Sequence, residues 1–256
     1  MRSFRDTLQK LPPRWREQLD KSGLSIKEFI EKYKNKTPLS IKSINVIVEA
    51  VSGMFTWAMR ENLIERNPAQ GLGLKDTQQD IEKRLPLTDD DIKRIFFCAG
   101  YKPSAFKNPA YYWVPLIALY TGMRLEEICQ LHCEDIYEED GIFLIDIRED
   151  STDGLCDKIL KTKNAKRKIP IHEHLIKLGL ISYRNVMIKS NQIRLFPLLN
   201  KTEKSPKYGK QVGKAFGLLL KEKNIVDGKS FHSLRHSFSN FFKVRNMHTD
   251  MFRQVF

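Results

Sequence analysis

Residues 111–121, YYWVPLIALYT, are apolar nearly all the way round a helical wheel. A helix without a polar face cannot lie on a surface, so this segment must sit at the centre of a core with other elements packed around it. A tight turn at Thr121-Gly122 closes it, and a second short helical segment follows in MRLEEICQLHCEDI. At 256 residues the chain can enclose such a helix and still divide into two domains, one small and one of ordinary size.

The flanking sequence supplies the packing elements. SIKSINVIVEAVSGMFTWAMRENLI sets Ile44, Ile47, Val48, Val51, Phe55 and Met59 at helical spacing, with Ser40 or Ser43 as its cap. It stops near NPAQGLGLK, where Asn67-Pro68 and two glycines make continuation costly. Residues 1–75 are therefore expected to form a helical domain, 76–87 a polar linker, and 88–256 a second domain. In LTDDDIKRIFFCA, Thr88 is a good cap, and three aspartates occupy the first turn, where the helix dipole favours negative charge. GIFLIDIRED and DKILKTKNAKRKIPI alternate as strands do, with a turn at Lys163-Asn164-Ala165. EHLIKLGLISYRNVM and YGKQVGKAFGLLLKEKN read as helices, the second interrupted by glycines. The expected class is mainly α with a small antiparallel β-sheet, an α+β fold.

No run approaches the roughly 18 apolar residues of a membrane span, and the first thirty residues mix charged with apolar positions. A soluble, cytoplasmic protein is expected. Four cysteines are too few for a disulfide framework. Cys129, His132 and Cys133 could tempt a zinc reading, but no second ligand cluster follows at finger spacing, and buried cysteines on one helix face suffice. No metal or cofactor is expected.

Charge is distributed unevenly. Lys and Arg number 14 against 8 Asp and Glu in residues 1–75, 8 against 18 in 76–157, and 22 against 5 in 158–256. A strongly basic last segment points to a polyanion as partner, because each neutralised phosphate releases counterions.

Three separated motifs carry the chemistry. TGMRLEE puts Arg124 after a glycine turn and Glu127 three residues on, along the same helix face. KTKNAKRKIP is a lysine-rich hairpin with Lys161 and Lys163 beside its turn. FHSLRHSFSNFF sets His232 and Arg235 three apart, with Phe231, Leu234, Phe238, Phe241 and Phe242 turned toward the core and His236 read as structural.

In this order the motifs resemble those of the tyrosine recombinases, or phage integrases, and the likeness covers nearly the whole chain. It implies a helical, SAM-like core-binding domain followed by a recombinase catalytic domain. Site-specific cutting and rejoining of double-stranded DNA through a 3′-phosphotyrosine would follow. By the same likeness Arg124 and Arg235 clamp the scissile phosphate, and His232 adds a hydrogen bond to it or shuttles the nucleophile's proton. Lys161, with Lys163 in reserve, is the general acid, and Glu127 braces the arginine or the histidine. The resemblance also implies tetramers on paired DNA sites when the protein is full length, a location on the bacterial nucleoid, and use in mobile-element integration. The family's nucleophilic tyrosine follows the histidine–arginine motif, and the chain reaches MFRQVF where the intervening turn should begin. A catalytic domain incomplete at its C-terminus, inactive and monomeric by itself, is the expectation. Tyr111, Tyr112, Tyr120 and Tyr208 stand elsewhere and are read as core or surface aromatics. The alternative is a non-catalytic relative that occupies recombination sites.

Overall fold

A computed structural model describes residues 1–75, 85–149, 158–159, 166–201, 206–225 and 228–245. The chain divides into two compact units, Met1–Gln79 and Asp80–Phe256.

The first unit is helical: α1 (Arg2–Leu8), α2 (Trp15–Ser22), α3 (Ile26–Tyr33) and α4 (Ile41–Arg60). Ser40 is the cap of α4, its hydroxyl accepting from the Ser43 amide at 3.2 Å. Ile44 and Val48 are buried with Leu8, Leu11 and Phe29, while Ile47, Val51 and Phe55 pack against them in part. Met59, expected on the same face, is exposed, because the packed set ends at Phe55 one turn earlier. Two asparagines tie down the returning chain. Asn67 donates to the Ser52 carbonyl and accepts from the Ala69 amide, and Asn45 exchanges two 2.8 Å hydrogen bonds with the Leu74 backbone.

The second unit contains α5 (Asp89–Phe96), α6 (Ala110–Thr121), α7 (Leu125–Cys129), β1 (Ile136–Glu139), β2 (Ile142–Ile147), β3 (Arg167–Pro170), α8 (Glu173–Lys177), α9 (Leu180–Lys189), α10 (Gly209–Glu222) and α11 (His232–Val244). Nine of the twelve residues of α6 are buried, distributed all round the helix, and α7, α8, α10 and α11 pack against it. Each large side chain enclosed here contributes about 1.5–3 kcal/mol.

The antiparallel sheet runs in the order β1-β2-β3. Ile136, Ile145 and Ile169 face one another across its three strands and form its buried row. The first strand was not expected, since α7 stops at Cys129 and the chain then turns into β1. Asp140-Gly141 makes the β1–β2 turn with φ of 51° and 77°, both in the left-handed region that a two-residue hairpin of this twist requires. The stretch read as one helix over EHLIKLGLISYRNVM is two, α8 and α9, broken at Gly179 with φ of 95°. The expected Lys163-Asn164-Ala165 turn lies outside the described residues. Among the described residues no helix is long and apolar enough to cross a membrane.

Candidate functional site

Gly122 caps α6 in the left-handed conformation, with φ of 64°, and does two further things. A Cβ at this position would lie 2.5 Å from Cδ1 of Phe238, so α11 approaches the turn as closely as a residue without a side chain allows. Its carbonyl accepts a hydrogen bond from the Arg235 guanidinium. The arginine of the last motif is thus tied to the turn that precedes the arginine of the first.

Arg124 is the extended N-cap residue of α7, and its side chain is one-third exposed. The Glu127 carboxylate holds it in two ways, accepting from the Arg124 backbone N–H at 3.0 Å and from its Nη1 at 2.7 Å. The same carboxylate accepts from Nη2 of Arg167 at 2.9 Å. Burial would raise the Glu127 carboxyl, but the bonds and charges of Arg167, and then Arg124, outweigh it and hold the group below its ordinary value. Burial, and next the neighbouring Arg124 charge, pull the Arg235 guanidinium down to about 10. Arg167 adds to that effect and Glu127 opposes it, so Arg124, Arg167 and Arg235 form one electrostatic cluster around Glu127.

The adjacent acid has a different use. Glu126 accepts from the backbone N–H of Tyr208 at 2.8 Å and of Gly209 at 2.9 Å, at the start of α10. The first two of the glycines that interrupt the α10 pattern have a packing reason: added Cβ atoms would meet Leu125 at 2.7 Å from Gly209 and 3.2 Å from Gly213. One face of α7 therefore grips α10 while Glu127 grips β3.

α11 is fixed from a third direction. Asp91 is buried and its carboxylate accepts from Lys229 at 2.6 Å, just ahead of α11, as well as from Arg94 and the Thr88 amide. This aspartate closes a capping box and an ion pair, where the sequence suggested only a favourable dipole. The Ser237 hydroxyl accepts from the Leu87 amide at 2.8 Å. His232 and Arg235 lie one turn apart on this anchored helix, and the His236 ring stands edge-on to His232 with centroids 4.9 Å apart. Phe231 and Leu234 are buried, but Phe241 is half-exposed, contrary to expectation. Its face carries the Arg245 guanidinium at 3.6 Å, a contact available to residues four apart on a helix.

Arg124, Glu127 and Arg235 are thus brought together from motifs more than a hundred residues apart. Lys161 and Lys163 lie outside the described residues. Arg167 was missed. The alternation of KRKIPI, counted back from buried Ile169, puts Arg167 on the inward row, and an inward arginine calls for a carboxylate. A second buried network stands nearby. Asp135, 1% exposed, accepts from Lys158 at 2.7 Å and from Arg148 at 3.2 Å, and Gln130 exchanges two hydrogen bonds with the Ile159 backbone. Cys129 and Cys133 are buried, and among the described residues there is no group of three or more side chains suited to a metal. Tyr112 and Tyr208 are buried, Tyr208 presenting its ring face to the Arg194 guanidinium and accepting a hydrogen bond from it at its hydroxyl, and Tyr120 is half-buried against His172.

A family model described as the phage integrase family matches residues 86–249. The ICEBs1 integrase of Bacillus subtilis is 32% identical over 163 residues, covering 57% of this chain and 38% of that protein. A tyrosine recombinase of Pseudothermotoga lettingae is 26% identical over 120 residues, covering 46% of this chain and again 38% of its own length. The chain thus spans well under half the length of the curated relatives it matches. Among solved structures, the Tn1549 transposon integrase in complex with circular intermediate DNA aligns with a TM-score of 0.61 at 20% identity, over 90% of this chain and 75% of that one. Lambda integrase bound to DNA aligns with a TM-score of 0.53 at 18% identity, over 94% and 87%. At these identities the structures establish a shared fold.

Proposed function

Because this chain belongs to the phage integrase family, we propose that it binds double-stranded DNA and that Arg124, His232 and Arg235 grip one backbone phosphate, as the site of a site-specific recombinase. The observation that carries this reading is the convergence of Arg124 and Arg235 around the Gly122 turn and Glu127. Two guanidiniums on one phosphate match the charge that builds on its non-bridging oxygens when a tyrosine oxygen attacks phosphorus. In that step the bond from phosphorus to the 5′ oxygen breaks, the 3′ side becomes a phosphotyrosine, and the departing oxygen needs a proton. Lys161, with Lys163 in reserve, is the proposed donor. His232 supports the same phosphate or moves the nucleophile's proton. Glu127 braces Arg124. No metal enters the scheme, because the arginines supply the positive charge.

The remaining assignments belong to the same proposal. Residues 1–75 act as the core-binding domain and 88–256 as the catalytic domain, joined by 76–87. The whole protein works as a tetramer on paired sites, on the nucleoid in the cytoplasm. The basic segment from residue 158 onward supports a polyanionic partner.

Binding to a short duplex, followed by fluorescence anisotropy, tests the reading. With about 6–10 phosphates contacted, affinity should fall by roughly 10³–10⁵ between about 50 and about 200 mM salt. Arg124→Ala and Arg235→Ala should each weaken binding, and in a longer product that carries the family's nucleophilic tyrosine each should lower covalent-adduct formation on nicked site DNA by about 10²–10³. Salt-insensitive binding, or variants that match the parent in both assays, would contradict it.

A further inference from the structure

We propose that Arg167 is a positioning residue: its guanidinium offsets the charge of Glu127, leaving Arg124 a net positive charge for a DNA phosphate. The inference rests on the phosphate-clamp reading above and adds to it a residue of the KTKNAKRKIP motif other than its two candidate lysines.

A carboxylate bonded to one arginine makes a neutral pair, and a neutral pair has little attraction for an anion. Glu127 would do this to Arg124, since it is 5% exposed and takes both the Arg124 backbone and its Nη1. Arg167, on β3, bonds the Oε2 atom that also accepts the Arg124 backbone N–H. Two guanidiniums bond this carboxylate and a third, that of Arg235, feels its charge, so the four groups Arg124, Arg167, Arg235 and Glu127 together carry a surplus of positive charge. Exposure separates the roles. The Arg167 side chain is 7% exposed and the Arg124 side chain 33%, so a ligand arriving from solvent meets Arg124 and not Arg167. The neighbouring strand residue Lys168 points outward to Glu139 on the surface, and only the inward register brings a basic group to Glu127. The Arg167 charge is also felt at Arg235, whose guanidinium it helps to destabilise. Glu127 then orients Arg124 without neutralising the clamp.

The test is a charge-rescue cycle read by duplex binding across a salt series, with Arg167→Met, Glu127→Gln, the double variant and Arg167→Lys. Arg167→Met should weaken binding about tenfold near 0.1 M salt and lower the salt slope by about one. Glu127→Gln on that background should restore both, because the uncompensated carboxylate is gone. Arg167→Lys should stay near the parent. A double variant no tighter than Arg167→Met, or an Arg167→Met protein that binds like the parent, would overturn the proposal. An arginine that touches phosphate itself gives no rescue, and a purely structural one lowers stability without changing the salt slope. Where Arg167→Met alone does not fold, the double variant decides when compared with Glu127→Gln: equal binding supports the charge role and a further loss overturns it. Arg124→Ala separates the levels. If it binds like the parent, the clamp reading itself fails; if it loses affinity while Arg167→Met does not, this inference alone fails.

Discussion

The two units solve the problem of holding a backbone in place by different means. In Met1–Gln79 the buried set is apolar, and neutral amides and hydroxyls, those of Asn45, Asn67, Ser25 and Ser40, hold the chain at helix ends and returns. Among the described residues of Asp80–Phe256 three carboxylates lie inside or nearly so, and each reaches a distant segment: Asp91 to Lys229, Asp135 to Lys158, Glu127 to Arg167. A buried ion pair adds little net stability compared with well-packed apolar side chains, yet removing one partner is expensive. Such pairs therefore fix where a segment sits more than they strengthen the fold. The unit that carries the proposed phosphate clamp is the one that uses them.

The comparison sharpens most at Asp135. Asp135→Ala strands Lys158, 2% exposed, and should destabilise the second unit by about 3–5 kcal/mol while leaving the unfolding of the first unchanged. Combining it with Lys158→Met should recover much of that loss in urea melts; no recovery would mean the pair is not the cause. Next in size is a matched pair of glycines. Gly122 and Gly71 have φ of 64° and 71°, but a Cβ at Gly122 meets Phe238, whereas at Gly71 it meets nothing within 4 Å. Gly71→Ala should cost about 1–2 kcal/mol for the left-handed backbone alone. Gly122→Ala should cost about 1–3 kcal/mol more through overpacking, and weaken duplex binding as well. Equal losses would break the comparison.

The smallest effect is expected from mild acid. Asp91 and Glu127 are both held below their ordinary values in spite of burial, Asp91 by Lys229 and Thr88 and Glu127 by the two arginines. Their contribution is complete above the unfolded carboxylate range near about 4 and is lost as pH falls through the lower folded values. In the first unit the shifted glutamates are fully exposed: Glu17 pairs with Lys21 and is screened, and Glu28 accepts the capping hydrogen bonds of Ser25. Thermal melts between neutral pH and about pH 3 should show the second unit losing stability faster. A first unit that is equally acid-sensitive would contradict the contrast.

How much of this was legible depended on whether the determinant was local. The burial of α6, the caps at Ser40 and Thr88 and the small antiparallel sheet follow from periodicity and single-residue chemistry, and the family match agrees with the resemblance carried by the three motifs. Asp140-Gly141 was legible and overlooked, since that dipeptide between apolar strands is a hairpin signal. Gly209 and Gly213 are different. Their reason is the approach of Leu125 from more than eighty residues away, which no window of sequence contains. The same holds for Lys158, whose burial depends on Asp135, and for the Glu126 carboxylate at the start of α10. Phe241 misled because an arginine four residues on, rather than the core, covers its ring.

The central claim is that Arg124 and Arg235 serve one phosphate, and a double-mutant cycle on duplex affinity tests it most directly. Arg124→Ala, Arg235→Ala and the double variant are compared with the parent at one salt concentration. Residues on a shared ligand should couple, so the double loss should differ from the sum of the single losses by more than about 0.5 kcal/mol. Losses that add within that margin would place the two arginines on separate phosphates and contradict the account.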